Sequence, residues 1–241
     1  MTAALVETNF TSLGKSGSYE GFLAMWGVGN SPALTLGTDY ATGARYDTTS
    51  INANVIYGWQ LPAANNGVRG YLQLSFGNYD GGSPTTPLTP KKINAVTALA
   101  VVVAFQVVGD PVSLLNEFWA STTAHATGSV TDKVEEVGCF PHVVQYTIDY
   151  MNGCSQIGTF TDPGGRSWTV ARDMNPTPHF TMFRPTNGAD VQGTIYWKEM
   201  LAYLVAQGVL TGQEYFNGMA FGPEPVAGKG AVNLSLTGNY A

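Results

Sequence analysis

The sequence predicts an all-β chain, an antiparallel sandwich with one helix late in its length. Three observations predict it. Short segments rich in β-branched and aromatic residues recur from end to end, turn signals separate them, and one segment alone has helical spacing of its apolar residues. The strand-like segments are, in order, GFLAMWGV, INANVIYGWQL, GYLQLSFGNY, AVTALAVVVAFQVV, VSLLNEFWAST, VVQYTIDYM, SWTVAR, HFTMFRP, FNGMAFG and AVNLSLTG. Between them lie NNG, DGG, GDP, DPGG and TNG, which supply turns. In the last segment Val232, Leu234 and Leu236 alternate with Asn233, Ser235 and Thr237, the pattern of a strand with one buried face. In GTIYWKEMLAYLVAQGVL, Ile195, Met200, Leu201, Leu204 and Val205 share one helical face and Gly208 follows as a stop. A helix is therefore predicted near residues 195–207. GSPTTPLTPKK reads as a loop and TDKVEEVG as a solvated surface segment. No repeat or linker divides the chain, so residues 1–241 are expected to form a single domain.

Composition narrows the function. Hydrophobic residues make up 44% of the 241 and charged residues 12%, which supports a large core and argues against disorder. The net charge is −6 and the 11 basic residues are scattered, so no basic stripe offers itself to a nucleic acid. A surface of Ser, Thr, Asn, Gln and Gly interleaved with aromatics suits neutral polar ligands, sugars above all. The longest apolar run, ALAVVVAF, is too short to span a membrane. The first fifteen residues lack the basic start and sustained apolar run of a secretion signal. Cys139 and Cys154 are compatible with a loop-closing disulfide in an oxidising compartment or with two free thiols. His125, His142 and His179 are dispersed, and Cys139 with His142 gives two ligands where a zinc site needs more. A serine-nucleophile elbow and phosphate-cradling glycine loops are missing too.

FGPEPVAGKGAVNLSL sets Glu224 between Pro223 and Pro225. Neither proline can donate to a sheet ladder, so the backbone around the carboxylate is pinned. That suits a catalytic group or a rim charge at a turn. The neighbouring segments weigh on the choice. GTFTDPGGRSWTVAR, HFTMFRPTN, the predicted helix and YFNGMAFGPEPVAGKGAVNLSL together resemble the closing half of glycoside hydrolase family 12. Gly222, Glu224, Pro225, Gly228, Gly230 and Ala231 match its terminal motif, and the order and spacing of these segments, helix included, agree across roughly the last eighty residues.

The resemblance implies a β-jelly roll of two packed antiparallel sheets, with an open cleft, that hydrolyses β-1,4-glucans or xyloglucan. It makes Glu224 the general acid/base. The family's nucleophile lies in an E-x-M-x-W strand, and SLLNEFWAST offers Glu117, with Trp119 where the family has Met and Ser121 where it has Trp. Glu117 and Trp119 are two apart and share a strand face. Without a catalytic task, Glu117 would read as an edge-strand charge that discourages aggregation. The family's preceding strand carries an Asp near the nucleophile; here VVAFQVV offers Gln106, or Asp110 with a slipped register. FLAMWGV resembles the family's NLWG, which makes Trp26 a sugar-lining residue; Trp119 is a second candidate, and either could instead be core. Trp59 and Trp168 read as core or sheet packing. The chemistry implied is a retaining double displacement needing no metal or organic cofactor. The implied partner is a neutral polysaccharide, with no nucleic acid or membrane, and a monomer is expected. An extracellular location is implied, its signal absent from these residues, and a cytoplasmic one stays open. The competing class is a lectin-like glycan reader on the same scaffold.

Overall fold

The computed structural model describes residues 2–4, 10–64, 67–81 and 84–241; the turn NNG and the loop GSPTTPLTPKK lie partly outside them. The first half of the chain gives β1 (Thr2–Ala4), β2 (Phe10–Ser16), β3 (Tyr19–Ala24), β4 (Ala41–Tyr46), β5 (Val55–Gln60), β6 (Tyr71–Gly77), β7 (Lys91–Lys92), β8 (Leu99–Gly109) and β9 (Ser113–Ser121). Then follow β10 (Lys133–His142), helix α1 (Gln145–Asn152), β11 (Ser155–Thr161), β12 (Ser167–Asp173), β13 (His179–Pro185), β14 (Gly193–Ile195) and helix α2 (Trp197–Ala206). The chain closes with β15 (Tyr215–Phe216), β16 (Gly218–Glu224) and β17 (Lys229–Tyr240).

The strands form two sheets. The smaller runs β1-β4-β5-β17-β8-β14, and the larger β11-β12-β13-β10-β9-β16-β6-β3-β2, with β15 and β7 attached to it. Strands β10 and β13 pair in parallel. The other ladders between these strands are antiparallel. The core fills the space between the sheets. Val232, Leu234 and Leu236 of β17 and Val101, Val103 and Phe105 of β8 meet Leu114 and Phe118 of β9, Val137 and Cys139 of β10 and Phe221 of β16. Within each strand the core residues are an even number of positions apart, which is the strand period read from the sequence. Burying each such side chain contributes roughly 1.5–3 kcal/mol. Trp59 and Trp168 are buried in this core.

The predicted helix is α2, whose Trp197, Met200, Leu201 and Leu204 are buried and which gives way to Gly208 at φ +71°. A second helix departs from expectation. VVQYTIDYM was expected as a strand, and its latter part is α1. Tyr146, Ile148 and Tyr150 read as strand alternation, but Ile148 and Met151 also share a helical face. That face finds a partner outside the sandwich. Ile148 and Met151 pack with Phe140, Ala171 and Met182 on the open face of the larger sheet. TDKVEEVG is corrected as well: most of it belongs to β10, where Glu135 is buried against Arg172 and Thr181. Cys139 and Cys154 are both free.

Candidate active site

The open face of the larger sheet holds a cavity of about 810 Å³. Its lining includes all four candidates from the sequence, Glu117, Glu224, Trp26 and Trp119. Period-two alternation explains the convergence. Strands β9 and β16 are neighbours, with Glu117 opposite Ala220 and Ser113 opposite Glu224. Glu117, Leu115 and Ser113 share one face of β9, and Ala220, Gly222 and Glu224 share the corresponding face of β16. The carboxylates therefore point to the same side, one strand across and four residues along. Gly222 between them has a packing reason: a Cβ there would lie 1.8 Å from the carbonyl oxygen of Leu72 on β6. The motif glycine lets β16 approach its neighbour just before the chain presents Glu224.

Glu117 is 3% exposed. Tyr79 Oη donates to its Oε1. The Oε2 oxygen is buried, and no hydroxyl, amide or basic group donates to it. Glu136 is the remaining neighbour. It stands opposite Trp119 while Gly138 stands opposite Glu117, so Glu136 and Glu117 are diagonal partners across the β9–β10 ladder. Their carboxyls adjoin, and a hydrogen bond between them requires one proton for the pair. Glu136 was missed because a surface reading was given to its segment. The signal was present: in a strand, an EE doublet must put one glutamate on each face.

The electrostatics rank the three acids. Burial pushes Glu117 above its ordinary value, but hydrogen bonds from Glu136 and Tyr79 and the charge of Lys133 pull it back. Burial, followed by the charge of Glu117, holds Glu136 well above the carboxylate range. Glu224 is raised from 4.5 to about 8, first by burial and then by the charge of Glu117. Glu117 is thus the group most ready to carry charge, with Glu136 and Glu224 retaining protons.

Neither Gln106 nor Asp110 tunes Glu117. Gln106 is exposed on β8 in the opposite sheet, paired with Asn233, and Asp110 accepts from the Lys229 backbone N–H at 2.8 Å. Tyr79 and Glu136 take that place. Trp119 is fixed from one side, with Lys133 Nζ 4.0 Å from its ring centre and 2.5 Å from Asp80 Oδ2. Its indole N–H is buried without an acceptor, so only a ring face remains to offer. Trp26 is 52% exposed at the cavity's β3 side. Buried Arg69 holds its loop, with Nη1 donating to the carbonyls of Gly27 and Asn30, each at 2.9 Å.

No protein-family model matches the sequence, and the search of curated proteins finds no match. Solved structures do match. A native family 12 xyloglucanase from Bacillus licheniformis superposes with a TM-score of 0.78 at 16% identity, covering 99% of this chain and 100% of that one. The same type of enzyme from that organism in complex with ligand gives 0.79 at 17%, with the same coverage. Endoglucanase 3 of Trichoderma harzianum, from family GH12, gives 0.76 at 15%, covering 99% and 98%. The chain has the β-jelly-roll fold seen in these family 12 glycoside hydrolases.

Proposed function

We propose that this chain is a retaining glycoside hydrolase acting within β-1,4-linked glucan chains. The observation that carries the reading is one cavity holding two carboxyls, Glu117 and Glu224, on the same face of adjacent strands with environments that push their protonation apart. Such a pair can divide the labour of glycoside hydrolysis. The Glu117 carboxylate bonds to the anomeric carbon as the glycosidic C–O bond breaks, and Glu224 gives its proton to the leaving oxygen. Water then attacks the same carbon, Glu224 takes a proton from it, and the ester to Glu117 breaks. Once Glu117 is esterified its charge is gone, which makes Glu224 more acidic and able to act as the base.

Charge and shape support a neutral substrate. The lining carries no Lys or Arg to pair with an acidic polysaccharide, and the charge of Glu117 would repel one. Aromatic faces suit pyranose rings, which present apolar faces of their own. A polymer substrate also argues for an enzyme working outside the cell.

Reducing-sugar release from a cellulose derivative, mixed-linkage glucan, xyloglucan and xylan, with product stereochemistry followed by NMR, tests the reading. Release from a neutral β-glucan with retained configuration is expected. Glu117→Gln should abolish it, and Glu224→Gln should still cleave an activated aryl glycoside and be rescued by azide. Inverted products, near-normal activity in Glu117→Gln, or activity confined to acidic polymers would overturn it. Retardation in a glucan gel without release would instead make the protein a glycan reader.

A further inference from the structure

Helix α1 sits on the face where a substrate would lie. Its inner side, Ile148 and Met151, is seated on Phe140, Ala171 and Met182. Its start is tied to β9: Ser113 Oγ accepts from the Val144 backbone N–H at 3.1 Å and lies 2.8 Å from Thr147 Oγ1. Ser113 is the residue opposite Glu224. The helix therefore forms a fixed wall one strand from the proposed acid.

The outer side of α1 is aromatic. Tyr146 and Tyr150 are 54% and 41% exposed and both line the cavity. Four residues apart on a helix, they stand one above the other. Tyr150 is nonetheless held in place. Its Oη donates to Asp173 Oδ2 at 2.5 Å, and Asp173 Oδ1 accepts from the Asn175 backbone N–H at 2.9 Å and from its side chain at 2.8 Å. Exposed aromatic rings cost solvation, and the core makes no use of these two. Only one other aromatic side chain among the described residues is comparably exposed, and it is Trp26, in the lining of the same cavity.

Strand order sets the relation between the two aromatic sites. Trp26 follows β3, the acids lie on β16, β9 and β10, and α1 contacts β12 beyond them. A chain lying across the strands meets Trp26, then the acids, then the tyrosines. We propose that Tyr146 and Tyr150 form a second sugar platform, binding pyranose rings of the substrate across the acids from Trp26. This rests on the glycan reading above. It makes the site one that holds rings on both sides of the bond to be cut, so polymer binding depends on both platforms together.

The test uses the full chain and separates this proposal from hydrolysis itself. Retardation in gels containing xyloglucan or mixed-linkage glucan is measured in a Glu117→Gln background, with Tyr146→Ala/Tyr150→Ala, Tyr146→Phe/Tyr150→Phe and Trp26→Ala added in turn. The double alanine variant should bind about tenfold or more weakly and the double phenylalanine variant nearly normally, because the ring face does the stacking. In the active enzyme the alanine pair should raise KM on polymer by a similar factor. On an aryl disaccharide glycoside, which reaches one side of the acids only, one of Trp26→Ala and the tyrosine pair should matter and the other should not. Unchanged retardation in the alanine pair overturns the platform while leaving hydrolysis intact. Equal loss in the alanine and phenylalanine pairs overturns it as well, by assigning the effect to the hydroxyl that holds Asp173. A wild-type chain that retards but releases no sugar overturns the hydrolase reading and leaves the platform standing on the binding data; absence of both overturns both.

Discussion

Gly138 stands directly across the β9–β10 ladder from Glu117. A Cβ at position 138 would lie 2.7 Å from Leu115 Cδ1 and 3.0 Å from Phe180 Cε2. The missing side chain leaves the space beside Glu117 to Glu136, the diagonal neighbour. Both crowded atoms are ends of side chains that can move, so Gly138→Ala should fold, at an overpacking cost of about 1–3 kcal/mol. Thermal unfolding should show a midpoint lower by several degrees, and kcat should fall as Leu115 and Phe180 shift toward the acids.

Glu224 ties stability to pH. Its carboxyl rises from 4.5 to about 8 on folding. Below about pH 4.5 both states hold the proton. Between about 4.5 and 8 the unfolded chain loses it and the folded chain keeps it, so stability falls as pH rises. Above about 8 both are ionised and the loss is complete. Glu224→Gln should flatten this slope in denaturant titrations and be more stable than the parent near pH 7. The wild type's activity should decline as pH passes about 8, where the acid loses its proton, and that limb should vanish for Glu224→Gln on an activated aryl glycoside.

Glu136 should act through Glu117. Glu136→Gln keeps a donor for the shared hydrogen bond, and its activity should stay within about tenfold of the parent. Glu136→Leu removes it. A hydrogen bond to a charged group contributes about 1.5–3 kcal/mol, so activity at slightly acid pH should fall roughly 10- to 100-fold. The acid limb of kcat/KM should also move to higher pH, because the Glu117 anion has lost support. A merely structural role for Glu136 would leave that limb in place.

Arg69 connects the Trp26 loop to the end of β16, which carries Glu224. Its backbone N–H donates to the Pro225 carbonyl at 3.1 Å, next to Glu224, while its guanidinium holds Gly27 and Asn30. Arg69→Met should remove the guanidinium from the Gly27 and Asn30 carbonyls, leaving Gly27 only the Asn30 backbone N–H, and lower stability by about 1.5–3 kcal/mol. With the loop released, KM on polymer should rise more than kcat falls. Equal KM in the two proteins would show that Arg69 does not position Trp26.

The sequence by itself determined β3, β5, β6, β8, β9, β12, β13, β16 and β17, helix α2, and the face that Glu117 shares with Trp119; it did not mark β2, β4, β10 or β11. Alternation in VNLSL and SLLNEFW states which side chains share a face, because the strand period is fixed by backbone geometry. The same rule joined Glu117 to Trp119, and the motif set Glu224 between Pro223 and Pro225 at the end of β16. What only the tertiary structure decided were the partners across strands. Residues 145–152 satisfy both strand and helix spacing, and docking on Phe140, Ala171 and Met182 settles them as α1. Glu136 looks like a surface charge until β10 is set beside β9, and Gln106 looks close to Glu117 until β8 joins the other sheet. A one-dimensional pattern fixes the face on which a side chain stands. Which strand lies next to it depends on contacts between residues far apart in the chain, and these form only when the sheets assemble.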